Sequence, residues 1–164
     1  MKTDLSHPIL VTGASTGIGN HLVKYLAARG HIVYGTARKE DDLAALGTIE
    51  NVVPIQLDVR NGEQIREALS LVAGRGTGLY GLVNNAGLAS GFDLLHEADI
   101  DDWEKMIDTN VKGLLYVSRN VIPLMVAQGY GHVINLSSVA GKQPYLKGNV
   151  YCATKSAVEA ISRT

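Results

Sequence analysis

Tyr151 and Lys155 stand four residues apart in the segment Tyr-Cys-Ala-Thr-Lys, and Ser138 lies thirteen residues upstream, just past the apolar run 132–136. On a helix, positions i and i+4 share one face, so a phenol and an ammonium at this spacing can point into one site. A cation close to a tyrosine favours the phenolate and lowers a reference pKa of about 10, bringing the hydroxyl within reach of acid/base work near neutrality. A serine hydroxyl at the same place could hold a carbonyl oxygen while the tyrosine gives it a proton. That chemistry reduces ketones or oxidises alcohols. Alone, a Y-x-x-x-K pair is weak evidence, since such pairs arise by chance and usually pack or solvate.

What precedes the pair gives it weight. Residues 7–11 form a short apolar run that leads directly into Thr12-Gly-Ala-Ser-Thr-Gly-Ile-Gly19. Ile18, Leu22, Tyr25 and Leu26 then recur at helical spacing as far as Gly30, a natural helix stop. The order is strand, glycine turn, helix. Glycines suit a backbone that must turn tightly and lie against a pyrophosphate, while the helix N-terminus offers free amides and the positive end of its dipole. Ser15 and Thr16 could add hydroxyl donors. In dinucleotide sites of this type an acidic residue usually ends the second strand and binds the adenosine ribose. Here residues 32–36 run into Ala37-Arg38-Lys39. Arg38 can pair in bidentate fashion with a 2'-phosphate that a carboxylate would repel, which favours NADP(H) over NAD(H).

The alternation continues along the chain. Strands are expected at 51–57, 81–83 and 132–136, a helix over 63–72, and a long helical region from Trp103 to Leu124 that Asn110 and Gly113 could interrupt. Strands alternating with helices predict a parallel sheet covered on both faces, and right-handed crossovers make it doubly wound: an α/β fold of three layers. With 164 residues, 46% hydrophobic and 19% charged, the chain has the composition of one soluble globular domain. Its net charge of -1, with Lys and Arg dispersed, gives no signal for nucleic acid or an acidic membrane. Neither a membrane span nor a signal-peptide core is evident, and the single cysteine suits a reducing compartment, so a cytoplasmic location is expected.

The chain resembles the short-chain dehydrogenase/reductase family from end to end. The resemblance is carried by the glycine turn, Leu57-Asp58-Val59, Asn84-Asn85-Ala86-Gly87, Asn110, Ile134-Asn-Leu-Ser-Ser-Val-Ala-Gly141 and Tyr151-Cys-Ala-Thr-Lys155, in the family's order and spacing. It implies an NAD(P)-binding Rossmann domain over residues 1–164 and a catalytic set of Asn110, Ser138, Tyr151 and Lys155. Tyr151 would be the acid/base, Ser138 would orient the carbonyl, Lys155 would lower the tyrosine pKa and hold the nicotinamide ribose, and Asn110 would anchor a water relay. Cofactor contacts would come from Gly13, Ser15, Thr16, Gly17, Ile18, Gly19 and Arg38, with Asp58 on the adenine amino group and Val59 beside the ring. Asn84, Ala86 and Gly87 would line the cofactor after the fourth strand. These residues follow predicted strands, where ligands of open parallel sheets bind. Ser137 competes with Ser138, and the family spacing favours Ser138.

Other signals carry less. Cys152 reads as a small packed thiol, the five histidines have no ligand spacing, and Asp99, Asp101 and Asp102 suit the start of the helix bearing Trp103. Trp103 itself reads as a core anchor. Family members continue past Thr164 with further strands and a loop over substrate, so the Rossmann domain is expected to lack its last strands. Leu88, Ser90, Gln143, Pro144, Tyr145 and Asn149 are the residues present that could line a substrate pocket. The resulting expectation is an NADP(H)-dependent oxidoreductase acting on a small-molecule alcohol or carbonyl, a homo-oligomer when full length. A non-catalytic NADP(H) sensor, an epimerase or dehydratase, and an inactive truncated fragment are the alternatives.

Overall fold

Alternating sides on the first strand set the layers. The computed structural model describes residues 8–164, so the His7 end of the first expected strand lies outside the described residues. In β1 (Ile9–Val11), Leu10 points into one core while Ile9 and Val11 point into another, as the period of two requires. Both faces of the sheet are therefore apolar and both need helices.

The elements that follow are α1 (Gly17–Ala27), β2 (Val33–Ala37), α2 (Glu40–Gly47), β3 (Val52–Gln56), α3 (Gly62–Gly74) and β4 (Gly81–Asn84). Then come α4 (Ile100–Ile107), a π-helical turn (Asp108–Gly113), α5 (Leu114–Gln128), β5 (His132–Asn135), a 3-10 turn (Val139–Gly141) and α6 (Asn149–Ile161). The strands are parallel in the order β3-β2-β1-β4-β5, with Leu10 opposite both Tyr34 and Leu82. One core gathers Leu10, Tyr34, Leu82 and side chains of α3 and α5, among them Ile65, Val72 and Val117. The other gathers Val11, Val33 and Val83 with Val23 of α1 and Leu46 of α2. This is the doubly wound α/β sheet expected from the sequence.

Two details differ from the sequence reading. The buried stripe of α1 is Gly19, Val23 and Ala27, while Ile18 and Tyr25 are exposed and Leu22 and Leu26 are half-buried. Small residues let α1 lie close to the sheet, which rotates its larger apolar residues outward. A helix the pattern does not announce, α2, crosses from β2 to β3 with Glu40, Asp41 and Asp42 in its first turn, where acids complement the dipole. As Asn110 and Gly113 suggested, the long helical region is interrupted: two α-helices are joined by a π-helical turn that contains both residues. Such turns inside helices concentrate at functional sites.

The chain leaves β1 for β2 and β3 on one side, then returns for β4 on the other. The carboxyl ends of β1 and β4 thus flank a switch point, where neighbouring loops part and leave a crevice.

Candidate active site

The glycine turn opens this crevice. Gly13 follows β1 with φ of 66°, and its amide donates to Thr36 Oγ1 at 3.2 Å. A side chain here would bring Cβ to 2.9 Å from Ala86 Cα, so the β1 and β4 loops meet only because residue 13 has none. Thr12 and Asn85 lace them together. Thr12 Oγ1 accepts the amides of Asn85 and Ala86 at 3.1 and 3.0 Å, and Asn85 Nδ2 donates to the carbonyls of Thr12 and Gly13 at 2.8 and 2.9 Å. Thr16 precedes α1 without capping it through its side chain, and the first turn carries no acidic residue. The first amides of α1 are left for an anionic ligand.

A cleft of about 460 Å³ runs from this turn to α6. Gly13, Ser15, Thr16, Gly17 and Ile18 line it beside Arg38 and Asp58–Val59 at one end. Ala86, Gly87 and Leu88 line it with Tyr151 and Lys155 at the other. Gly19 is buried beneath the turn. Arg38 is exposed where β2 ends, free to face a ligand. Asp58 is held by Arg60: the Arg60 amide and Nε donate to Oδ1, both at 3.0 Å, and Nη2 donates to Oδ2 at 2.6 Å. This side-chain hydrogen bonding holds the Asp58 carboxyl below its ordinary range against the opposing effect of burial.

At the α6 end, Lys155 is only 8% exposed, and its Nζ lies 6.0 Å from the centre of the Tyr151 ring. The shared face expected of the i, i+4 pair is present. Lys155 Nζ donates to the Leu136 carbonyl at 3.0 Å, and burial pushes its pKa down. An ammonium has three protons to give. One goes to Leu136, which leaves donors for groups entering the cleft.

Of the two serines, Ser137 lines the cleft but donates its proton to the Lys155 carbonyl at 3.1 Å. Ser138 caps the 3-10 turn by accepting the Ala140 amide at 3.2 Å, a bond that leaves its own proton uncommitted. Asn110 is 2% exposed, and its Oδ1 accepts the Leu88 amide while Nδ2 donates to the Leu88 carbonyl, both at 2.8 Å. Nδ2 also donates to Thr154 Oγ1 at 3.1 Å. Both amide protons of the side chain are therefore spent inside the protein.

Asn84 sits in the interior, donating to Ser118 Oγ and Asn135 Oδ1 at 2.9 and 2.8 Å, while Asn85 reaches the cleft. Among the residues named for a substrate pocket, Leu88 lines the cleft. Ser90 donates to Asp102 at 2.6 Å and Asn149 to the Asp93 carbonyl at 3.0 Å. Asp99 caps α4 by accepting the Asp101 amide at 2.9 Å, and Cys152 is buried. Asn85, Arg60 and Thr154 are contributors the sequence reading left without a role, and Ser137, weighed there against Ser138, lines the cleft. Asn84 drew the attention that Asn85 shares, and only strand-end geometry separates these two neighbours.

The family model for short chain dehydrogenases matches residues 7–164. The chain belongs to the short-chain dehydrogenase family. An NADP-dependent 3-hydroxy acid dehydrogenase of Salmonella typhi is 46% identical over 156 residues, 94% of this chain and 63% of that relative. A serine 3-dehydrogenase of Agrobacterium fabrum is 36% identical over 160 residues, 96% of this chain and 64% of the relative. Among solved structures, a closed form of serine dehydrogenase complexed with NADP+ superposes with a TM-score of 0.92 at 44% identity, covering 95% of this chain and 64% of that one. The chain spans just under two thirds of the length of these short-chain dehydrogenase relatives. Among the described residues no helix is long and apolar enough to cross a membrane.

Proposed function

We propose that this chain is the cofactor-binding and catalytic part of an NADP(H)-dependent oxidoreductase that interconverts a small alcohol and its carbonyl compound. The observation that carries the reading is the meeting of Tyr151 and Lys155 with the glycine turn in one crevice at the sheet's switch point. The residues present fit a phosphorylated dinucleotide: free α1 amides and a close-approach glycine for the pyrophosphate, Asp58 and Val59 for the adenine, and Arg38 for a 2'-phosphate. A bound nicotinamide supplies or accepts the hydride.

The chain's own residues handle the proton and the geometry. Ser138 donates its uncommitted hydrogen to the substrate oxygen, and Tyr151 takes the hydroxyl proton in oxidation or returns it in reduction. Lys155, buried without a carboxylate partner among the described residues, stabilises the phenolate and reaches ribose hydroxyls. Asn110 holds Leu88 on the cleft wall and fixes the π-helical turn, where its main chain can hold the first water of a proton path to solvent.

The relatives' names support a substrate with a hydroxyl at the third carbon of an acid, serine included. The full-length protein acts in the cytoplasm as a homo-oligomer under this proposal. Titration of the full-length protein with NADPH and NADH, followed by nicotinamide fluorescence, tests the cofactor. Absorbance at the reduced-nicotinamide band with serine and 3-hydroxybutyrate tests the reaction. Binding of NADPH at least about tenfold tighter than NADH, with NADP+ reduced by one of these acids, is expected from one charge-assisted phosphate contact. Equal affinities would remove Arg38 from its role, and tight NADPH binding without turnover on any alcohol or carbonyl would favour a sensor module.

A further inference from the structure

Thr154 is 3% exposed, sits between the catalytic pair in sequence, and makes two hydrogen bonds of opposite direction. Its Oγ1 accepts from Asn110 Nδ2 at 3.1 Å and donates to the Tyr151 carbonyl at 2.8 Å. A helical threonine commonly bonds a carbonyl one turn back, so the second bond alone would be ordinary. The first is not local, because it crosses 44 residues to the π-helical turn.

The side chain thereby forms a bridge: Leu88 to Asn110, Asn110 to Thr154, Thr154 to the main chain of Tyr151. Every polar hydrogen along it is paired, and Asn110 and Thr154 are buried, where an unpaired donor is costly. The cleft wall, the π-helical turn and the first turn of α6 are held in one geometry. We infer that Thr154 is a positioning residue for the proton-transfer step, setting the distance between the Tyr151 hydroxyl and the proton path anchored at Asn110. The inference rests on the reading of Tyr151 as the acid/base. It adds that the hydroxyl at position 154 fixes proton transfer and not cofactor binding, since neither hydrogen bond touches the glycine turn or Arg38.

The test compares Thr154→Val, Thr154→Ser and Tyr151→Phe in the full-length protein. Valine keeps the shape and removes both hydrogen bonds; serine keeps both. For Thr154→Val the expected result is a fall in kcat of about ten- to a hundredfold, the scale of a misplacement of the reacting groups. The Kd for NADPH should stay within about twofold, a change in affinity too small to reflect a lost hydrogen bond. The pH at which kcat for alcohol oxidation reaches half its plateau should also move upward, while Thr154→Ser retains wild-type behaviour.

An unchanged kcat and pH profile in a folded Thr154→Val protein would overturn the inference. So would a parallel loss of kcat and NADPH affinity, which would mean general loosening. If Thr154→Val proves too unstable to purify, Thr154→Ser and Thr154→Cys replace it: cysteine keeps a weak donor and acceptor and should give an intermediate kcat, and a cysteine variant identical to wild type would sink the idea. Full turnover in Tyr151→Phe would instead remove the underlying acid/base assignment, an outcome separate from the others.

Discussion

Gly13 and Gly17 both have positive φ, 66° and 57°, but only one of them is also crowded. A methyl at Gly17 meets nothing within 4 Å, whereas at Gly13 it would come to 2.9 Å from Ala86 Cα and 3.2 Å from Ala86 Cβ. Ala86 cannot retreat easily, because its amide is bound to Thr12 Oγ1 at 3.0 Å. For Gly17→Ala the cost is the left-handed conformation, about 1–2 kcal/mol. That is reduced by about 0.4–1 kcal/mol through the stiffer unfolded chain. For Gly13→Ala the same net term applies, plus about 1–3 kcal/mol for overpacking. At roughly 2–4 °C per kcal/mol for a protein of this size class, Gly17→Ala should lower Tm by about 0–6 °C. Gly13→Ala should lower it by about 2–12 °C more on the same scale. Thermal unfolding of the cofactor-free, full-length protein by circular dichroism reads this difference, since bound nucleotide would mask it. Equal shifts, or a larger one for Gly17→Ala, would refute the claim that the β1 and β4 loops are pinned together at Gly13.

Further outcomes follow from the same geometry. Arg38→Ala should weaken NADPH binding by about ten- to a hundredfold, the worth of a charge-assisted fork, and leave NADH nearly unchanged in the same fluorescence titration. Arg60→Ala should cost roughly 0.5–1 kcal/mol near neutral pH, as expected of a partly exposed ion pair. Arg60 lowers the Asp58 pKa below 3.8, so its contribution is present above that value and lost as pH falls through the folded-state pKa. Urea titrations of the two proteins at pH 7 and at acid pH should therefore converge on acidification. Lys155→Met should reduce kcat by about a hundredfold or more. Burial lowers the Lys155 pKa below 10.5, so the unfolded chain holds the proton more tightly and this residue's contribution to stability improves as pH rises toward 10.5. Between pH 7 and 10.5 the wild type should thus gain stability relative to Lys155→Met, and a constant difference would contradict the desolvated ammonium.

Much of the site is legible in the sequence because it hangs on strand ends. The residues after β1, β3 and β4 fall into one crevice once the sheet is parallel and its order reverses. What escapes the sequence is which of two adjacent side chains faces that crevice. Asn84 and Asn85 differ by one residue where a strand ends, and one residue reverses the direction of a side chain; Ser137 and Ser138 are told apart by the hydrogen bonds each already makes. The interruption at Asn110 and Gly113 is legible, but its π-helical form is not: the apolar residues on either side, Met106 and Val117, both still reach the core. The exposed Ile18 and Tyr25 mislead because they repeat at helical intervals, yet Gly19, Val23 and Ala27 form the face that fits a close sheet. Thr154 looks like a spacer in Tyr-Cys-Ala-Thr-Lys, and its link to Asn110 depends on a contact across the fold.

The most direct measurement is the turnover and cofactor affinity of full-length Tyr151→Phe. Removing one hydroxyl should lower kcat by about 10²–10⁴-fold, the usual contribution of a positioned acid/base. NADPH affinity should remain near that of the wild type, since the residues proposed to hold the phosphates and adenine are untouched. Retention of substantial turnover by this variant would contradict the proposed chemistry at its centre.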